Sequence, residues 1–240
     1  MMSRVNSFGQ AIGDAVLNWR SPATPTPEPL HGARCLVEPL DLARHGDALH
    51  EANARGDGSN WTYLFAEPPK TRAAYLEYMT TTFTGDDPRC YAIIDRTNAA
   101  AVGVASYMRI VPEHGCIEIG HINFSPALQR TPVATEAMYL MMRHVFELGY
   151  RRYEWKCDSL NTPSRAAAQR LGFSFEGVFR NAIVYKGRSR DTAWYSITNA
   201  EWPAVRAVFE QWLAPENFDA HGAQRLQLRW LTAPLLRAVG

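Results

Sequence analysis

The run Ile117-Glu118-Ile119-Gly120-His121-Ile122-Asn123-Phe124-Ser125-Pro126, with Gln129-Arg130-Thr131-Pro132-Val133-Ala134-Thr135-Glu136 after it, constrains the chain more than any other segment. It reads as a strand, a short polar loop and the first turn of a helix. That first turn leaves four backbone N–H groups without internal partners, and the helix dipole puts partial positive charge there. A helix start with a strand leading in is a seat for a phosphate group. Arg130 and the hydroxyls of Thr131 and Thr135 add donors at the same place. The pattern therefore predicts a phosphate-bearing cofactor lying along the end of the strand.

The rest of the chain supplies a setting for this unit. Residues 34–39 read as a strand, and Asp41 caps a helix running to about Asn53, with Leu42, His45, Leu49 and Ala52 at helical spacing. A second helix is expected over 71–82. Strands follow at 89–95 and 100–109, joined as a hairpin, and at 116–124. Pro132 suits a first helical position, and apolar residues from Val133 to Leu148 recur at three and four until Gly149. A strand at 153–158, a helix from Asn161-Thr162-Pro163 to Gly172, and strands at 173–180 and 192–197 complete the order β α α β β β α β α β β. Hairpin strands followed by strand–helix units predict a mixed, mostly antiparallel sheet of seven strands with helices on both faces.

Two flanking regions differ in texture. Residues 1–30 carry the proline-rich run S-P-A-T-P-T-P-E-P, which favours extended chain, either free or docked through Trp19, Ile12 and Val16. Residues 31–198 form the expected domain. Residues 199–240 are a helical extension, with one helix over 201–213 and an apolar tail suited to packing on the core or on a second subunit, so a homodimer is allowed.

Composition narrows the class. The net charge of +1 on 240 residues supplies no broad field for nucleic acid or an anionic membrane. Cys35, Cys90, Cys116 and Cys157 are widely spaced, which argues against a zinc cage or a disulfide framework, so no metal is expected. Free thiols and an N-terminus without an uninterrupted apolar core indicate a reducing, cytoplasmic setting.

The element order, the strand–loop–helix at 116–149, and the N-x-x-S…L-G-F pattern at Asn161, Ser164 and Leu171-Gly172-Phe173 resemble the GNAT acyltransferases, within them the RimJ/RimL-like ribosomal-protein-alanine acetyltransferase type. The likeness runs from about Ala33 to Ile197. It implies a V-shaped splay between the fourth and fifth strands, 116–124 and 153–158, holding acetyl-CoA. The family's loop motif, Q/R-x-x-G-x-G/A, is met by Gln129 and Ala134, whereas Pro132 stands where the first glycine belongs and removes one N–H. Cofactor contacts would then come from Ile122, Asn123, Phe124, Gln129, Arg130, Thr131, Ala134, Thr135, Asn161 and Ser164.

Acyl transfer to an amine requires a neutral amine, a donor for the oxyanion and a proton for the departing thiolate. The resemblance puts Glu118 first as base, with His121 as competitor; a strand glutamate facing solvent or holding an arginine, and a half-buried structural histidine, are the plain alternatives. Strict alternation sets 118 and 121 on opposite faces unless a bulge intervenes, and Gly120 suits one. The oxyanion donor would be a backbone N–H of Ile122 or Asn123. Many family members carry a tyrosine acid on the next helix, but Ala168 occupies that position, and Ser164, one turn earlier, matches the serine of the RimJ/RimL-like type. Asn161 would meet the pantetheine amide, or cap its helix, or both. Trp61, Tyr63 and Trp155 are the expected substrate-binding residues, although the aromatics of the loop 60–65 suit the core at least as well. Arg165 and Arg170 could approach the adenosine phosphates or simply occupy an exposed helix face, and the cations Lys186, Arg188 and Arg190 could draw an acidic acceptor or the CoA 3′-phosphate, or simply be solvated.

The sequence thus points to an N-acetyltransferase using acetyl-CoA and a primary amine, either a protein N-terminus or a small molecule. Another donor such as succinyl-CoA, or a non-catalytic acyl-CoA-sensing module, stays open. There is no G-x-G-x-x-G, no G-K-[ST] loop and no H-E-x-x-H.

Overall fold

The computed structural model describes residues 4–83 and 85–240; residues 1–3 of the arm lie outside the described part. In chain order the elements are β1 (Arg4–Val5), β2 (Ala11–Ile12), β3 (Leu30–His31), β4 (Cys35–Pro39), α1 (Leu42–Ala54), α2 (Arg72–Thr82), β5 (Arg89–Asp95), β6 (Ala100–Val111), β7 (Cys116–Phe124), α3 (Pro132–Glu147), β8 (Arg152–Asp158), α4 (Thr162–Arg170), β9 (Ser174–Tyr185), β10 (Arg188–Thr198), α5 (Trp202–Leu213) and α6 (Leu228–Thr232). The main sheet has the order β3-β4-β5-β6-β7-β8-β10-β9. Every pairing in it is antiparallel except β7 with β8.

The sheet gains one strand over the expected seven, because Leu30 and His31 at the end of the arm pair with Val37 and Leu36. The final hairpin is also longer than expected. The stretch 181–191, read as a connection for its charges and glycine, is mostly strand. Only Lys186 and Gly187 turn, both with positive φ (49° and 69°), as a two-residue primed hairpin turn demands.

Helices cover both faces. On one face α1 and α2 bury Leu49, Tyr75 and Met79 against Cys90, Ala92, Ile94 and Val104. On the other, α3 lays Ala137, Met138, Met141 and Val145 on Ile117, Ile119, Tyr153 and Trp155, with Val205, Phe209 and Trp212 of α5 packed on the same core. Each of the first four helices starts on a side-chain cap, from Asp41, Thr71, Thr131 and Asn161. Gly149 (φ 97°) closes α3. No helix among the described residues is long and apolar enough to cross a membrane.

The arm divides at Trp19. From there it docks: Arg151 lies over the Trp19 ring, Pro22 and Pro25 are buried, and the Tyr91 hydroxyl donates to the Thr26 carbonyl at 2.9 Å. Before Trp19, β1 and β2 form a small hairpin whose apolar side chains, Val5, Phe8 and Ile12, are exposed.

Candidate active site

β7 and β8 run parallel and are paired only from Cys116↔Arg152 to Ile119↔Trp155. Beyond that the two strands part, and their C-terminal ends lead into α3 and α4. The gap opens into a cleft of about 1500 Å³. That exceeds the ~300–1,000 Å³ of ordinary small-ligand sites, so the cleft has the size for a large ligand.

A bulge is present, one residue beyond the expected Gly120, which itself pairs in register. Ser106 faces Gly120 and Val104 faces Asn123, so Ala105 alone opposes both His121 and Ile122. His121 adopts φ 47°. This turns both Glu118 and His121 toward the cleft, which strict alternation forbids. Burial, with Arg109 nearby, pushes the His121 imidazole below its ordinary value, so the neutral ring is favoured.

Glu118 is buried and ion-paired. Its Oε2 takes Arg109 Nη1 at 2.6 Å and Lys156 Nζ at 2.8 Å. Lys156 also meets Glu154 at 2.8 Å, and its ammonium lies 3.8 Å from the Trp194 ring centroid. A second bulge brings Arg109 there: Met108 faces Glu118 and Val111 faces Cys116, with Arg109 at φ 47° and its N–H held by the Asp87 carboxylate.

At the start of α3, Thr131 Oγ1 accepts from Ala134 N–H at 3.1 Å, and Gln129 Nε2 donates to the Phe124 carbonyl. Arg130 sits in the left-handed region (φ 62°). Among the described residues the N–H groups of Arg130 and Val133 have no acceptor in the chain, and Pro132 has no N–H to place. Arg130 lines the cleft, and the positive end of the dipole of a sixteen-residue helix lies beside it.

At the start of α4, Asn161 Oδ1 accepts from Ser164 N–H at 3.1 Å, so the capping alternative for Asn161 holds. Ser164 Oγ accepts from Trp155 Nε1 at 3.0 Å, which leaves its own hydroxyl proton to donate. Cys157 lies beside it; burial raises that thiol, and the hydrogen bond to Ser164 pulls the other way.

All ten residues expected around the cofactor line this one cleft, as do Glu118, His121, Tyr63 and Trp155. Trp61 does not. It is 3% exposed and packs edge-on against Tyr75 and Tyr78 in the core under α1 and α2. Its large apolar ring went where apolar area is best buried, and only its neighbours Asn60, Thr62 and Tyr63 reach the cleft.

The hairpin cations are also committed. Lys186 Nζ donates to the Trp61 carbonyl at 2.8 Å and Arg188 to the Thr62 carbonyl at 3.0 Å, while Arg190 is buried against Thr192. With the Tyr63 hydroxyl donating to Leu160 O at 3.0 Å, they strap the loop 59–67 over one side of the cleft.

Several lining residues lay beyond the sequence reading. Phe179, Ala182 and Ile183 enter through a bulge in β9 opposite Asp191, where 180–182 bow out. Gln224 arrives from the C-terminal extension. Arg165 and Arg170 share α4, but Arg165 bonds Tyr195 and the Ser159 carbonyl, and only Arg170 lines the cleft.

A mostly antiparallel sheet parting at its single parallel pair, beside a helix start with free donors, defines an acyl-CoA-type transferase fold. The comparisons agree: the model of the acetyltransferase (GNAT) domain matches residues 34–174, and the chain belongs to this family of N-acetyltransferases. A solved GCN5-related N-acetyltransferase from Brucella melitensis is 44% identical, covering 91% of this chain and 100% of its own, with a TM-score of 0.88. A GNAT-family structure from Chromobacterium violaceum is 42% identical over 81% of this chain and 98% of its own, with a TM-score of 0.76. The Bacillus subtilis protein named "Putative ribosomal N-acetyltransferase YdaF" is 26% identical, covering 70% of this chain and 91% of its own.

Proposed function

We propose that this protein moves an acetyl group from acetyl-CoA to a primary amine by direct attack while both are bound. The parting of β7 and β8 beside the free donors of α3 is the observation that carries this reading. Backbone N–H groups at Arg130 and Val133 would hold the diphosphate, and Asn161 and the separated strand edges the pantetheine arm. Bound there, the cofactor supplies an activated thioester.

The chain's own groups divide the remaining work. His121, neutral and cleft-facing, receives the amine proton. Glu118 is already engaged through Oε2 by Arg109 and Lys156, so it holds these two cations at the acceptor's approach. This ordering reverses the preference that the sequence alone suggested. Ser164, its oxygen occupied by Trp155, offers its hydroxyl proton to the sulfur as a hydrogen bond. The acceptor enters on the sheet face that α1 and α2 leave bare, past Met108, Phe179 and Trp194. The Bacillus subtilis relative, named as a ribosomal N-acetyltransferase, favours an acceptor of ribosomal origin.

The test is a screen of peptides and small amines with acetyl-CoA, reading free thiol. His121→Gln should lower kcat by about 100-fold, as loss of a positioned base does. Ser164→Ala should cost about tenfold, the loss of one hydrogen bond to a charged group. If His121→Gln turns over at the parent's rate across pH, the base assignment is wrong.

A further inference from the structure

Arg170 stands where the last turn of α4 meets the first turn of α3. Its Nη1 donates to Thr135 Oγ1 at 3.1 Å, and its guanidinium carbon lies 5.3 Å from the ring centroid of Trp212 on α5. The side chain is partly buried and lines the cleft. Among the described residues no carboxylate pairs with it, whereas Arg34 has Glu136 and Arg152 has both Glu154 and Glu176. Burial disfavours the charged form of Arg170, with no opposing anion to offset it. A partly desolvated cation without a counter-charge is stabilised when an anion arrives.

The surroundings specify which anion. Thr135 belongs to the same helix start as the free N–H groups of Arg130 and Val133, so the positive end of the α3 dipole lies beside the guanidinium. Trp212 fixes the guanidinium by its face and at its edge donates from Nε1 to Gln224 Oε1 at 2.9 Å. Trp212 and Gln224 both lie beyond residue 174, where the family match ends.

We infer that Arg170, seated on Trp212, is a phosphate-binding residue that grips the diphosphate of the CoA cofactor, and that the C-terminal extension is thereby part of the cofactor site. The inference rests on the reading of the cleft as a CoA site.

Calorimetry with CoA, 3′-dephospho-CoA and pantetheine tests it on the full chain, comparing the parent with Arg170→Gln and Arg170→Lys. The glutamine variant should bind CoA and dephospho-CoA about tenfold more weakly, by a common factor, and pantetheine as the parent does. Lysine, which keeps the charge but not the fork, should recover part of the loss. The inference is overturned if Arg170→Gln binds CoA like the parent. It is equally overturned if pantetheine suffers the same loss, or if the loss vanishes with dephospho-CoA. A parent that binds neither CoA nor dephospho-CoA sinks the reading of the cleft itself and takes this inference with it.

Discussion

Glu118 gathers two cations on one oxygen inside the protein. Glutamine keeps the shape but leaves Arg109 and Lys156 to share a neutral oxygen, with Glu154 as the remaining anion for Lys156. Breaking a buried ion pair from one side is costly because the partner's charge stays behind. Glu118→Gln should therefore lose about 2 kcal/mol of stability, read as a lower urea midpoint at unchanged m-value. Any loss of activity in that variant has to be judged against this. Histidine protonation acts in a related way. Burial is the main cause that holds both His121 and His144 below the ordinary imidazole value of about 6.5. Between the folded and unfolded values the unfolded chain binds more protons, so stability falls as pH drops below about 6.5. Urea midpoints taken from pH 7.5 down to 5 should decline, and His144→Gln should flatten the slope. His144 is the apt probe, since its Nε2 is buried without a partner and its ring stacks on Tyr107, away from the cleft.

Among the elements, α3 was legible in advance almost residue by residue. Thr131, Pro132 and Gly149 are local signals, and the apolar spacing between them needs no tertiary information. The need for a bulge in this strand was legible too, because Glu118 and His121 cannot share a face under strict alternation, but it falls at His121 and Ile122 rather than at Gly120. What stayed hidden was tertiary. Nothing in the sequence near Trp61 separates a core ring from a wall of the cleft. The second bulge at Arg109, the bowed residues 180–182 and the reach of Gln224 depend on strand registers set by distant partners. The departure at Pro132 gives a prediction at this scale. Pro132→Gly restores a donor to the helix start and frees the unfolded chain. CoA binding should tighten a few-fold by calorimetry, while stability falls by about 1 kcal/mol in urea titration.

For the whole molecule, the arm illustrates a chain that joins the body late. Residues 4–17 touch little of it, whereas 19–31 contribute the Trp19 contact, the Thr26 carbonyl and the edge strand β3. Removing residues 1–17 should leave the melting temperature within about 2 °C. Removing 1–31 should lower it by about 5 °C or more, since even ~2 kcal/mol of lost packing moves a domain of this size that far. Differential scanning calorimetry of the two truncations separates them.

The same sheet contains its own seam. From β3 to β7 and from β8 to β9 neighbouring strands are laddered along much of their length, but these two blocks are stitched to each other only between Cys116 and Ile119. A molecule that wedges into the unstitched part supplies rungs the polypeptide lacks. Amide exchange along 120–124 and 156–158 should therefore slow most when CoA is added, and the protein's mechanical integrity becomes a gauge of how much cofactor surrounds it.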